Sequence, residues 1–261
     1  MLAEDNRKKI IDKIPEMRMI DDTFMSAVFD GQKEETALLL RIVLGKSDIE
    51  VMAVKAQVFF SNVYGREVRL DIVARDQSGK AYNVEVQRSS GDSSPQRARF
   101  TGAMVDIRLL DRGQDFTELP DRYTIFITEK DKFHKGCPSY HAANTIEELD
   151  NEPLGDGSHI VYINGEYRNV DTPIGQLMHD FFCANPEDML NPLLRERVSY
   201  LKETEGGREE VCKIVEDLIT EEKIEMAKAA IAEGDLTLEQ IAKTLRLPLP
   251  FVQELAKQKT A

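Results

Sequence analysis

The sequence predicts an α/β fold in which a helix precedes three strands, a second helix and two further strands, with a helical C-terminal region attached. Three observations carry this. In "IDDTFMSAVFDGQKEETALLLRIVLGKSD", Leu38, Leu39, Ile42 and Val43 recur at helical spacing. In "RLDIVARDQSGKAYNVEVQ", residues 69 to 87, two alternating runs of β-formers flank a short polar turn. Beyond about residue 170 the apolar period is helical throughout.

Taken in order, the Leu-rich stretch reads as a core helix preceded by a helical turn and closed by Gly45. "IEVMAVKAQVFFSN" gives a first strand, and the hairpin supplies the second and third. "SPQRARFTGAMVDIRLLDRG" has Pro95 near its start, Gly113 at its end, and Phe100, Met104, Ile107 and Leu110 spaced for one helix face. "RYTIFITEK" and "SHIVYING" are the fourth and fifth strands. In the tail, Val211, Ile214, Val215 and Leu218 form one stripe, and Gly206-Gly207 marks a joint. Thr237 with Gln240 fits a capping box, Pro248 breaks the chain and Pro250 opens another helix, which outlines a helix-turn-helix. The expected division is residues 1–170 as one domain and 171–261 as a helical region.

Composition narrows the function classes. With 41% hydrophobic and 31% charged residues, the 261-residue chain reads as a folded protein with a full core. Charges fill its first ten residues and nowhere do about 18 apolar residues run together, so neither a secretory signal nor a membrane span is expected and the cytoplasm is the expected compartment. Cys137, Cys183 and Cys212 form no CxxC pattern, which suits a reducing compartment. His134, Cys137 and His141 suggest a transition-metal loop, yet no fourth ligand is evident. The net charge of −13 repels nucleic acid overall, but residues 55 to 112 hold ten Lys/Arg against seven Asp/Glu, so a polyanion is best met there.

The hairpin carries the chemistry. A three-residue loop, Gln77-Ser78-Gly79, joins Asp76 to Lys80, with Gly79 supplying the left-handed conformation at its last position. Counting back, Ile72 faces Val84 and Asp71 faces Glu85, so Leu70, Ile72, Val84 and Val86 share a buried face while Arg69, Asp71, Glu85 and Gln87 share the other. Opposed like charges are destabilising. A divalent cation relieves that repulsion, and Mg²⁺ is the expected occupant because it takes a few carboxylates and retains water for chemistry. A plainer reading leaves both acids facing solvent, paired with Arg69 and Arg75.

The acid in one strand followed by Glu-x-Gln in the next resembles the PD-(D/E)XK nuclease superfamily, in particular its transposase-like, recombination-promoting nuclease branch. "DDTFMSAVFD", "QRARFTGAMVD" and the helical tail are similar to that branch as well. The resemblance implies a restriction-endonuclease-like αβββαβ core that cuts DNA, with Asp71 and Glu85 as metal ligands for Mg²⁺ (or Mn²⁺ in its place) and Gln87 positioning water or phosphate. Arg97 and Arg99, opening the following helix, are the expected phosphate contacts. Glu35 or Glu34 is the candidate for a further acid from the first helix, although acids at a helix start also serve as dipole partners, and Asp22 reads equally as an N-cap. Leu70 stands where the motif's name has proline, and Gln87 where many relatives have Lys.

Two function classes follow: a Mg²⁺-dependent DNA endonuclease tied to recombination or mobile DNA, and a DNA-binding or scaffolding protein on a nuclease-like core that no longer cuts. The tail has two readings as well. A helix-turn-helix reads DNA with its second helix, but "PFVQELAKQK" has no Arg and "EEVCKIVEDLITEEKIE" is acidic, which suits self-association into a homo-oligomer.

Overall fold

The computed structural model describes residues 4–61, 67–88 and 93–258. Its elements run α1 (Glu4–Lys13), α2 (Asp22–Phe29), α3 (Lys33–Leu44), β1 (Val51–Ser61), β2 (Glu67–Asp76), β3 (Ala81–Gln87), α4 (Pro95–Leu109) and β4 (Arg122–Thr128). There follow β5 (Ser139–Ala143), β6 (Thr145–Ile146), β7 (Glu152–Pro153), β8 (Ser158–Asn164), α5 (Pro173–Phe182), α6 (Pro192–Glu203), α7 (Glu205–Glu233), α8 (Leu238–Leu245) and α9 (Leu249–Gln258). Residues 8–211 form one compact unit, and residues 212–261 with 1–7 form another. Among the described residues no helix is long and apolar enough to cross a membrane.

In the first unit, six strands make one mixed sheet in the order β1-β2-β3-β4-β8-β5, and β6 pairs with β7 apart from it. β1, β2 and β3 are antiparallel neighbours, β3, β4 and β8 run parallel, and β5 is an antiparallel edge. The hairpin between β2 and β3 closes as its turn chemistry requires. Gly79 has φ 86°, and the Asp76 carboxylate accepts the backbone N–H groups of Ser78 and Lys80 at 2.9 and 3.0 Å. The ladder then pairs Arg75 with Ala81 through to Ile72 with Val84, the expected register.

The preceding helical turn is a full helix. α2 buries Phe24, Met25, Val28 and Phe29 completely or nearly so, and each side chain of that size removed from water contributes about 1.5–3 kcal/mol. Both α2 and α3 pack along β1. Gly45, at φ 64°, caps α3 in the left-handed conformation that glycine adopts without steric cost.

Register and strand alternation divide the sheet into two faces. Tyr82, Val84, Tyr123, Ile125 and Ile127 line one, where Lys46, just past α3, donates to the Tyr123 hydroxyl at 2.9 Å. Ala81, Asn83, Glu85, Arg122, Thr124 and Phe126 line the other, beneath α4. The docking of α4 depends on a buried arginine: Arg122 donates to Asp106 on α4 at 2.8 Å, to Thr124 at 3.0 Å and to Ser158 at 2.7 Å. Gly102 makes room for it, since a Cβ there would stand 2.1 Å from a guanidinium nitrogen.

The tail is helical as its period requires. α5 packs on α3 and α6 on α2, within the same compact unit as the sheet. In the second unit Ala227, Ile241, Ala242 and Val252 form a small core joining the end of α7 to α8 and α9. The Thr237 and Gln240 capping box is present at the start of α8.

Gly102→Ala therefore forces the Arg122 guanidinium from its three partners. The substitution is expected to destabilise the first unit by about 1–3 kcal/mol, read as a lower urea midpoint with an unchanged slope.

Candidate active site

The two hairpin acids meet at the end of β2 and β3 farther from the turn. Past the Ile72–Val84 pair, the Asp71 carboxylate accepts the Val86 N–H through Oδ2 at 2.9 Å. Its other oxygen, Oδ1, accepts no hydrogen bond among the described residues. Glu85 sits one residue before that amide, with both oxygens engaged. Asn83 donates to Oε1 at 2.9 Å, and Arg97 approaches Oε2 at 3.2 and 3.3 Å through its Nη2 and Nε. The Gln87 amide stands 3.5 Å from the same oxygen.

Here the structure corrects the hairpin's polar face. Asp71 is 7% exposed and Glu85 fully buried; α4 reaches Glu85 through Arg97, and Leu70, expected on the opposite face of the hairpin, packs instead with Ala81 and with Val105 of α4. Neither acid pairs with Arg69 or Arg75 as the plainer reading had it: Arg69 reaches Asp22 at 3.4 Å and Arg75 is exposed. Burial first, then the Glu85 charge, raises the Asp71 pKa to about 7; Asp22 adds to the rise, while the Val86 N–H and Arg69 oppose it. Burial also raises Glu85, against the lowering influence of Asn83, Arg97 and Gln87.

Local sequence explains these positions. "NVEVQ" puts Asn83, Glu85 and Gln87 on one face of β3 by simple alternation. Ser94 is the N-cap of α4, its hydroxyl accepting the Arg97 N–H at 3.1 Å, with Pro95 at the first helical position. That cap fixes Arg97 at the helix start, where its side chain, 38% exposed, spans from solvent to Glu85. Opposite Asp71, β1 departs from regular pairing: Gln57 lies between the pairs Ala56–Ile72 and Val58–Leu70 and takes φ 51°. Its amide nitrogen bonds the Ser26 hydroxyl on α2.

The remaining expected residues divide. Arg99 is exposed on α4, two residues from Arg97 and away from Glu85. Glu35 lies in the first turn of α3, and no group of three His, Cys, Asp or Glu side chains that includes it with Asp71 or Glu85 gathers among the described residues. The third acid whose charge bears on Asp71 is Asp22, at the first position of α2. Asp22 does not cap its helix; Asp21 is the N-cap residue and uses its carboxylate on Arg18 N–H at 2.9 Å. Asn83 is the contributor that sequence reasoning missed, and Asp22, read there equally as an N-cap, is the one it left open. The signal for Asn83 was its place two residues before Glu85. The His134, Cys137 and His141 loop forms no three-ligand group either; His141 lies 3.3 Å from the Ser139 hydroxyl.

The donor set fits a hard divalent cation. Two buried carboxylates on adjacent strands, one with an oxygen free of hydrogen bonds, offer oxygen ligands alone, the kind Mg²⁺ and Mn²⁺ prefer. Buried Asn83 Oδ1 and, on α4, Thr101 Oγ1 also lack partners among the described residues. Arg69, Arg88, Arg97 and Arg99 supply positive charge to the strand ends and the start of α4, with Arg88 reaching Asp21 at 3.1 Å and Glu129 at 3.4 Å.

Residues 27–171, more than half of the chain, match the family model described as PD-(D/E)XK nuclease family transposase. No curated protein and no solved structure matches the chain significantly.

The raised Asp71 pKa sets a stability prediction. A folded-state value of about 7 lies above the ordinary 3.8, so the folded chain holds this proton where the unfolded chain has lost it. Stability then falls as pH rises between those values and levels off above them. Asp71→Asn is expected to match wild type near pH ~4 and to exceed it near pH ~8 by at most about 4 kcal/mol. Urea unfolding across that range with chelator present checks it, and parallel pH profiles would contradict it.

Proposed function

The chain belongs to the PD-(D/E)XK nuclease family transposases, and from that membership we propose that it is a divalent-metal-dependent DNA endonuclease acting on mobile or recombining DNA. The observation that carries the proposal is the juxtaposition of Asp71 and Glu85, two buried carboxylates on adjacent strands whose charges oppose one another. We take α3, β1, β2, β3, α4 and β4 as the restriction-endonuclease-like αβββαβ core. Residues 1–170 carry the nuclease chemistry, and 171–261 form a helical region suited to self-association.

Asp71 and Glu85 would hold the ion, with Asp22 near enough in charge to contribute. Bound there, Mg²⁺ would supply a water of lowered pKa and a Lewis acid for the phosphate. The chain's own residues do the rest. Arg97 neutralises Glu85 in the metal-free protein and, once released from it, has a planar fork of donors for a phosphate oxygen. Gln87 donates hydrogen bonds to orient water or phosphate but brings no charge and no base. Arg99, exposed on the same helix, lies along the path of a DNA backbone.

One observation favours a second reading. Glu85 is already hydrogen-bonded and ion-paired within the protein, and Gln87 replaces a charged residue, so a nuclease-like core that binds DNA without cutting it is the alternative.

Wild-type protein is expected to nick supercoiled plasmid with Mg²⁺ or Mn²⁺, with the rate falling at least about 100-fold in Asp71→Ala and in Glu85→Ala. Equal cleavage by all three would reject this site. DNA binding with no cutting under either metal would select the second reading.

Arg97→Gln is expected to bind Mn²⁺ severalfold more tightly by calorimetry, because Glu85 loses its competing cation, while nicking slows. Unchanged metal affinity would show that Arg97 does not compete for Glu85.

A further inference from the structure

Away from the sheet, three side chains of different chemistry converge at the end of α5. His179 and Cys183 stand four residues apart and so share one side of the helix, and Cys183 is its C-cap, with extended backbone at φ −72° and ψ 128°. Nδ1 of His179 lies 3.2 Å from Oδ1 of Asp180 and 3.5 Å from Sγ of Cys183. One ligand atom from each residue falls within 4.8 Å of the other two, and no other trio of His, Cys, Asp or Glu does so among the described residues.

Those edges have a chemical meaning. A tetrahedral zinc ion with Zn–S about 2.3 Å and Zn–N and Zn–O each about 2.0–2.1 Å sets its nitrogen and sulfur ligands about 3.5 Å apart and its nitrogen and oxygen ligands about 3.3 Å apart. Both spacings are present before any ion is added. The arrangement is held from outside the helix. Asp180 is fully buried, and its two oxygens accept the N–H groups of Leu190 and Asn191 at 2.7 and 2.8 Å, leaving lone pairs for a further partner. The side chain of His179 is 33% exposed and Cys183 is half-buried, which leaves a way in from solvent.

The surroundings favour a cation. The carboxylates of Asp180 and Asp188 both place negative charge near Cys183. Lys202, whose charge bears on Cys183, donates to the carbonyls of Pro15, Met17 and Ala184.

We propose that His179, Asp180 and Cys183 form a second metal site, for a borderline-soft divalent cation such as zinc, with its fourth position open to water. Its thiolate and imidazole distinguish it from the all-oxygen pair Asp71 and Glu85, so the two sites take ions of different hardness. The Asp180 carboxylate, through the Leu190 and Asn191 N–H groups, already joins the site to the segment that opens α6.

The test uses the full chain, free of any histidine tag and stripped with chelator, titrated with Co²⁺ alone. A thiolate-to-cobalt charge-transfer band and the visible bands of a four-coordinate ion are expected, saturating at one ion per chain and abolished by Zn²⁺. Cys183→Ser removes the charge-transfer band and His179→Ala weakens binding at least about tenfold, while Glu85→Gln leaves the band in place. No thiolate band in wild type, or an equal band in a folded Cys183→Ser protein, overturns the proposal. Should the serine variant not fold, alkylation of Cys183 in wild type, followed by mass spectrometry, decides: Zn²⁺ is expected to slow it at least about tenfold, and an unchanged rate overturns the site.

Discussion

Two buried carboxylates on adjacent strands, Asp71 and Glu85, are the constraint on which the rest of this structure depends. An ionised acid removed from water costs several kcal/mol unless it is paired and hydrogen-bonded. Glu85 receives Asn83, Arg97 and Gln87. Asp71 receives one backbone amide. To deliver Arg97, α4 must begin at a fixed point and lie close on the sheet. The Ser94 cap, Pro95, and the docking of Gly102 over Arg122 all serve that end.

The unequal treatment of the two acids is what gives the pair a chemical capacity. A fully compensated ion pair is a stable structural element with nothing to offer a ligand. Asp71 keeps an oxygen without a donor among the described residues, and its proton is held into the neutral range by burial and by Glu85. A cation entering here gains from both acids at once, and it gains most at Asp71. Arg97 holds Glu85, so on the function proposed above metal binding would release an arginine toward the DNA backbone. Gln87 adds donors without charge, which on the same proposal would leave the charge balance to the ion and to Arg97.

The hairpin was legible because its determinants are local. Asp76, Gly79 and strict alternation set the loop, and the loop sets the register. What local pattern could not show is which faces are covered. β3 pairs in parallel with β4 and lies under α4, so its polar face is as buried as its apolar one, and the sequence, which pairs Asp71 with Glu85, does not show that both are buried. Arg97 was legible as a basic residue beside the site but not as the partner of Glu85, since that contact depends on how α4 docks. Glu35 and Asp22 show the same limit: both are acids at helix starts, and only the packing of α2 brings Asp22 to bear on Asp71. β5 carries little alternation in "SYHAA" and joins the sheet only as an edge to β8. The change of texture near residue 170 marks the end of the strands, while compact packing with the sheet continues through α5 and α6 to residue 211.

Gln57 bears on the choice between a working site and an inert core. Its backbone is left-handed, φ 51°, which costs a residue other than glycine about 1 kcal/mol or more, and its buried Oε1 has no partner among the described residues. It stands opposite Asp71, itself an acid whose ionisation the fold disfavours. Single substitutions would relieve either cost: glycine at 57, asparagine at 71. A hairpin serving only as scaffold gains nothing from keeping both, whereas a site that must present an undercompensated carboxylate to a ligand has a use for each. Local departures from stability of this kind concentrate where a protein binds or reacts. Their meeting at Asp71 supports the catalytic reading over the scaffold.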